Sequence, residues 1–278
     1  MKALIPFGHP YTEQAPYTED ENLKYIAIIT GASSGIGREF AMALDQSMDA
    51  LDEIWIVARR KERLEELASK LRHHAKVISG DLSNRNTVNR IAAMLRADKC
   101  RVRFLVNAAG YGILGEFSKG DRKEETGMCD LNVRALTDIT YACLPFMGRN
   151  SRIINIASSA AFVPQPSFSV YAATKSYVLS FSRSLNAELK DRQIYVTAVC
   201  PGPVKTEFFD VAEKLGTRTL SMKKWAMTTP GVVVKTALKD SFAKKEISIP
   251  TAMMKMFYFF TKVCPHRVII SFTNRLYR

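Results

Sequence analysis

The chain has little that would staple it together or hold it in a membrane. Its five cysteines, Cys100, Cys129, Cys143, Cys200 and Cys264, are odd in number and scattered, with no Cys-x-x-Cys pair. That spacing excludes a disulfide framework and a zinc site and points to a reducing, cytoplasmic setting. Histidine is scarce, and the one adjacent pair, His73 and His74, falls where a charged helix is expected to end in solvent. No apolar run reaches 18 residues, so no membrane span is expected. The first 24 residues, rich in Pro, Tyr, Thr and acids, lack the apolar stretch of a secretory signal and read as an N-terminal extension, 1–24. Acidic residues are absent from 251 to 278. Elsewhere both signs occur, and the net charge of +13 is spread over helix faces. Spread charge of this kind favours solubility and mild attraction to anions, not nucleic-acid recognition.

What is present is an alternation. With 47% hydrophobic and 24% charged residues, 278 residues have the balance of a globular chain able to bury a sizeable core. Strand-like apolar runs at Tyr25–Ile29, Glu53–Val57, Lys76–Ser79, Val102–Val106, Ile153–Ala157, Ile194–Val199 and Glu246–Ile249 alternate with helical patterns. The helices are expected from Gly31 to Met48, Lys61 to Arg72, Asn84 to Arg96, Asp121 to Met147 (broken late by Pro145), around Tyr171, and after Thr229-Pro230. Nearly continuous apolar strands joined through helices predict an α/β fold. It is a doubly wound, Rossmann-like parallel sheet of about seven strands with helices on both faces, in one domain spanning 25–250.

Two stretches carry chemistry. Directly after the first strand comes Thr30-Gly31-Ala-Ser33-Ser34-Gly35-Ile36-Gly37. Glycines between a strand and a helix allow a tight turn and let a pyrophosphate rest on the helix N-terminus. At the end of the second strand, where an NAD site typically places an acid, stand Arg59 and Arg60. Two guanidinium groups suit a 2′-phosphate, so NADP(H) is favoured, with NAD(H) as the alternative. Asp81 and Leu82 after the third strand, and Asn107-Ala108-Ala109-Gly110 after the fourth, fall at the strand ends where a doubly wound sheet holds its ligand.

The second stretch is Ser158 to Lys175. Tyr171 and Lys175 are four apart and share a helix face, and Ser158 ends the apolar run at 152–157. An ammonium beside a phenol favours its ionised form, so the pair reads as a general acid/base, with Ser158 placed to hydrogen-bond a carbonyl oxygen. No metal is called for.

In this order, TGASSGIG, NAAG, Asn132 in LNVRAL, Ser158, YAATK and Pro201-Gly202-Pro203-Val204-Lys205-Thr206 resemble a short-chain dehydrogenase/reductase of the compact, single-domain branch, over about Tyr25 to Pro250. The resemblance implies an enzyme that moves a hydride between a nicotinamide and a secondary alcohol or ketone. It makes Tyr171 the proton donor and acceptor, and Lys175 the residue that holds the nicotinamide ribose and lowers the tyrosine pKa. Ser158 would bind the substrate oxygen and Asn132 would seat a relay water. Asp81 would lie by the adenine, and Pro201, Gly202, Val204 and Thr206 would cover the nicotinamide. Ala108 departs from the commoner asparagine of the family, at a cost to local order and not to chemistry. A homodimer or homotetramer is implied as well.

Apolar residues in the loops, among them Tyr111, Ile113, Leu114, Phe117, Phe162, Val163, Phe208, Phe209, Leu215, Leu220, Met222, Trp225 and Met227, suit a bulky lipophilic alcohol or ketone. A steroid-like or fatty-acyl substrate is expected, as in hydroxysteroid dehydrogenases and ketoacyl reductases. The alternatives are a 3-ketoacyl-thioester reductase and a non-catalytic NADP(H)-sensing protein. The segment 251–278 interleaves Lys255, Lys262, Arg267, Arg275 and Arg278 with Met and Phe. It reads as a helical pair packed on the body or on a partner, with peripheral membrane contact or a substrate lid as the other readings.

Overall fold

A computed structural model describes residues 23–217 and 227–276, with side chains through Ser271. Its seven strands are β1 (Lys24–Thr30), β2 (Glu53–Ala58), β3 (His74–Ser79), β4 (Cys100–Asn107), β5 (Arg152–Ile156), β6 (Tyr195–Val199) and β7 (Ile247–Ser248). All pair in parallel, in the order β3-β2-β1-β4-β5-β6-β7. The order reverses direction between β1 and β4, which opens a crevice at their carboxyl ends.

The strands read as continuous apolar runs because both faces are covered. In β1, Ile26 and Ile28 face one core while Ala27 and Ile29 face the other. The first core takes its helical side chains from α3 (Arg85–Ala97), α5 (Leu136–Cys143) and α6 (Ser169–Glu188). The second takes them from α1 (Gly35–Ser47), α2 (Lys61–Ala68) and α8 (Pro230–Phe242). Between β4 and α5 lies α4 (Arg122–Cys129), and after β6 comes α7 (Phe208–Leu215). Two helices, α9 (Ala252–Val263) and α10 (His266–Leu276), close the described chain.

Helix α2 ends four residues earlier than its periodicity predicts. The carboxylate of Asp45, buried on α1, accepts the main-chain N–H groups of Arg72 and His73 at 2.9–3.0 Å, which pulls that stretch out of the helix. The same carboxylate meets His73 Nδ1 at 2.9 Å. The histidine pair is therefore not a solvated helix end: His73 is a largely buried partner of Asp45, and His74 begins β3. The long helical region from 121 to 147 is continuous, but Asp130–Ala135 winds as a π-helix between α4 and α5. Such bulges recur beside functional sites, and this one carries Asn132.

Candidate active site

At the carboxyl end of the sheet lies a cleft of about 530 Å³. One end is the turn from β1 into α1. Gly31 (φ +68°) and Gly35 (φ +54°) hold the left-handed conformation that only glycine adopts cheaply. A Cβ on Gly31 would come within 2.7 Å of Ala109 N, and one on Gly37 would strike the Gly31 carbonyl oxygen. The turn is therefore wound as tightly as backbone allows. Ser34 precedes the helix without capping it through its side chain, which leaves the first N–H groups of α1 pointing into the cleft as an anion cradle. Thr30 ties the turn to the next loop, its hydroxyl accepting from Ala108 N at 3.0 Å and Ala109 N at 3.2 Å.

Both arginines after β2 line this end. The Arg60 guanidinium donates to Ser33 Oγ at 3.0 Å, to Ser34 Oγ at 2.9 Å and to Glu207 at 2.8 Å. Arg63 pairs with the same carboxylate. Hydrogen bonds from the two guanidiniums hold Glu207 below the usual carboxylate range. An exposed guanidinium beside two serine hydroxyls can hold a phosphate monoester, which would take the place of the Glu207 carboxylate on it. These residues thus fit a dinucleotide bearing a 2′-phosphate.

At the other end stand Ser158, Tyr171 and Lys175. Tyr171 lies on the first turns of α6, stacked on Phe168 with ring centroids 4.3 Å apart and flanked by Phe208 at 5.3 Å. Burial pushes its phenol up to about 12, opposed by a hydrogen bond from Ser158. Lys175 Nζ donates to the Ile156 carbonyl at 2.7 Å and lies 5.6 Å from the Tyr171 ring centre. Burial brings its ammonium down to about 8, against a small opposing effect of Cys200. The expectation that the lysine makes the phenol acidic is therefore not met in the protein alone. Desolvation in this apolar corner outweighs the ammonium, which is turned to a carbonyl.

The structure gathers most of the expected residues along the cleft: Gly31, Ser33, Ser34, Gly35, Ile36 and Gly37; Arg59, Arg60, Asp81 and Leu82; Ala108 and Gly110; Ser158, Tyr171 and Lys175; Pro201, Gly202, Val204 and Thr206. Two lie behind its wall. The Asn107 amide nitrogen donates to Thr140 (3.0 Å) and Asn155 (2.9 Å) below the floor, while its buried Oδ1 has no protein partner among the described residues. Asn132 is fully buried, donating to Tyr111 O at 2.8 Å and Thr174 Oγ1 at 3.1 Å and accepting from Tyr111 N at 3.1 Å. It holds the loop after Gly110 in place.

Of the expected apolar lining, Tyr111, Phe208 and Phe209 face the cleft. Ile113, Leu114, Phe162 and Val163 are buried in core, and Phe117 stands in solvent. Leu215 packs against the core cluster that holds Ile113 and Leu114, and Met227 follows a stretch containing Leu220, Met222 and Trp225, which lie outside the described residues. Sequence reasoning missed Glu207 and Phe168. Glu207 had a signal, being the acid directly after the Pro-Gly motif and opposite an arginine pair; Phe168 had none. From the C-terminal segment, Met254 and Phe257 reach the cleft. Among the described residues no group of three or more His, Cys, Asp or Glu could hold a metal ion.

Comparison with known proteins agrees with this geometry. Residues 25–214 match the short chain dehydrogenase family. The NADP-dependent 3-hydroxy acid dehydrogenase of Escherichia coli is 33% identical over 193 residues, covering 68% of this chain and 77% of that enzyme. A short-chain dehydrogenase from Sphingobium yanoikuyae, solved with NADPH, superposes with TM-score 0.72 at 30% identity, covering 83% of this chain and 89% of the other. The bulky-bulky ketone specific alcohol dehydrogenase of Comamonas testosteroni does so with TM-score 0.69 at 29% identity, over 87% and 93% of the two chains. The chain belongs to the short-chain dehydrogenase/reductase family and is an oxidoreductase.

Proposed function

We propose that the protein is an NADP(H)-dependent oxidoreductase that interconverts a secondary alcohol and a ketone on a bulky, uncharged, lipophilic substrate. The observation that carries this reading is the convergence of Ser158, Tyr171 and Lys175 at one end of a cleft whose other end is the glycine turn with Arg60. The bound dinucleotide would supply or accept the hydride. Gly31 to Gly37 would hold its pyrophosphate, Arg59 and Arg60 its 2′-phosphate, and Pro201 to Thr206 would flank its nicotinamide.

The protein's own part is positioning and proton transfer. Ser158 and Tyr171 line the same end of the cleft, so a carbonyl oxygen entering between them would meet two hydroxyl donors. With its pKa pushed up to about 12, Tyr171 holds its proton at neutral pH and can donate it as negative charge grows on that oxygen. Lys175, on the same helix face one turn on, would hold the ribose and favour the phenolate left behind. Asn132 orders the Tyr111 loop and would seat the relay water of the proton path.

The substrate class follows from the walls. Phe168, Phe208, Phe209, Val211, Met254 and Phe257 make them apolar. Among the described lining residues the cations are Arg59 and Arg60 at the adenosine end and Lys175. The apolar walls favour a bulky ketone, as in the Comamonas enzyme's description. A 3-ketoacyl thioester of fatty-acid metabolism is the second candidate: its ketone is neutral, and its anionic carrier would suit the net charge of +13. We place the enzyme in the reducing cytoplasm as a homo-oligomer. It would pair through α5 and α6, where Tyr141 and Tyr177 are exposed.

The decisive measurement is nicotinamide absorbance with steroids, bulky aryl ketones and 3-ketoacyl thioesters, in NADPH and NADH. We expect turnover of a bulky ketone, faster with NADPH. Tyr171→Phe should bind NADPH normally, by fluorescence titration, and lose turnover by at least about a hundred-fold. Undiminished turnover in that variant would end the assignment.

A further inference from the structure

Helix α9 is turned inside out relative to a helix on an aqueous surface. Its inward side is anchored: Phe257 and Tyr258 pack on Phe162 with centroids 6.3 and 4.7 Å apart, and Thr261 is buried. Its outward side carries Met253, Met256, Phe260 and Val263 at i, i+3, i+7 and i+10, with Phe259 beside them. These are between 49% (Phe260) and 69% (Phe259) exposed. A water-facing helix puts its charges on that arc. Here Lys255 and Lys262 sit to one side of it, and Arg267 follows at the start of α10. One exposed apolar side chain needs no explanation, but five contiguous ones on one helix mark a contact surface.

We propose that this face of α9 docks the enzyme on an anionic lipid bilayer. The apolar arc would enter the acyl boundary, while the long stems of Lys255 and Lys262 reach back to the headgroups. Charge decides between a bilayer and a second copy of the chain. The segment 251–278 has no acid, so a two-fold contact through this face would set one basic rim against the same rim of the partner, which is repulsive. An anionic membrane complements both the apolar arc and the rim. No helix among the described residues is long and apolar enough to cross a membrane, so the contact is peripheral. The proposal goes beyond the catalytic reading and does not depend on the substrate. It does add that Met254 and Phe257, on the inner side of the docked helix, would put the cleft at the lipid boundary.

The test is co-sedimentation of the full chain with extruded vesicles at low salt. We expect binding to phosphatidylglycerol–phosphatidylcholine vesicles that is weakened by salt and much weaker on phosphatidylcholine alone. Lys262→Gln should weaken it about five-fold, and the double change Phe259→Ser, Val263→Ser should abolish it. Both variants should keep the wild-type melting temperature and the wild-type rate on a water-soluble carbonyl. Absence of binding to either vesicle, or binding unmoved by the double change, would overturn the proposal. So would a wild-type dimer in sedimentation velocity that the double change converts to monomer, since that would give this face to a second copy.

Discussion

Tyr171 and Lys175 perturb each other less than burial perturbs both. With the phenol pushed up to about 12 and the ammonium brought down to about 8, each desolvated, the corner is set at neutral pH to give a proton. Carbonyl reduction consumes the proton that Tyr171 already carries. Alcohol oxidation needs the phenolate, whose fraction grows about ten-fold per pH unit below the pKa. We therefore predict that kcat/KM for oxidation rises with pH from neutrality to about 8 while that for reduction is flat, and that both suffer as Lys175 loses its charge above about 8. Parallel steady-state pH profiles in the two directions check this; an oxidation profile that falls with pH below about 8 would contradict the assignment of the base.

At the scale of the element, the first turn of α1 tolerates least. Gly37 packs against the carbonyl of Gly31, and Gly31 against the backbone of Ala108 and Ala109. Added atoms therefore meet main chain rather than a side chain that can swing aside. Gly37→Ala should cost about 1–3 kcal/mol or more in stability and abolish NADPH binding, because relief of the clash tilts the N-terminus of α1 out of the cleft. Thermal melting and a fluorescence titration read the two effects. A variant that melts with the wild type and binds NADPH normally would show that the close approach is not needed.

Across the whole molecule, burial sets the response to alkali. Desolvation pushes the Cys100, Cys143 and Cys200 thiols and the Tyr111 and Tyr171 phenols up to about 12. These groups ionise in the unfolded chain at about 9 to 10 but stay protonated in the folded one, so their contribution to stability is lost as pH rises above that range. Lys175 acts in the opposite sense. Its folded pKa lies below its unfolded one, so between about 8 and 10.5 the unfolded chain binds the extra proton and stability rises. Among the described residues the Cys129 thiol is raised by burial too, so the raised thiols and phenols outnumber Lys175 and predict a melting temperature that falls steadily above about pH 9, measured with NADP(H) absent. A melting temperature constant to pH 11 would refute the sum.

What could be read from the residues and what could not divides along physical lines. Alternating apolar runs and helical spacing determine the doubly wound sheet, since a strand buried on both faces has to be apolar throughout. The glycine turn, the Arg59-Arg60 pair and the Tyr171/Lys175 spacing are local facts of covalent order, legible without coordinates. The early end of α2, imposed by the Asp45 carboxylate from another helix, was not legible. Nor was the retreat of Asn107 and Asn132 behind the cleft wall, or the clasp of Glu207 on Arg60 across 147 positions. Those depend on which groups meet in space and on how much water is removed around them, and the linear order of residues carries neither.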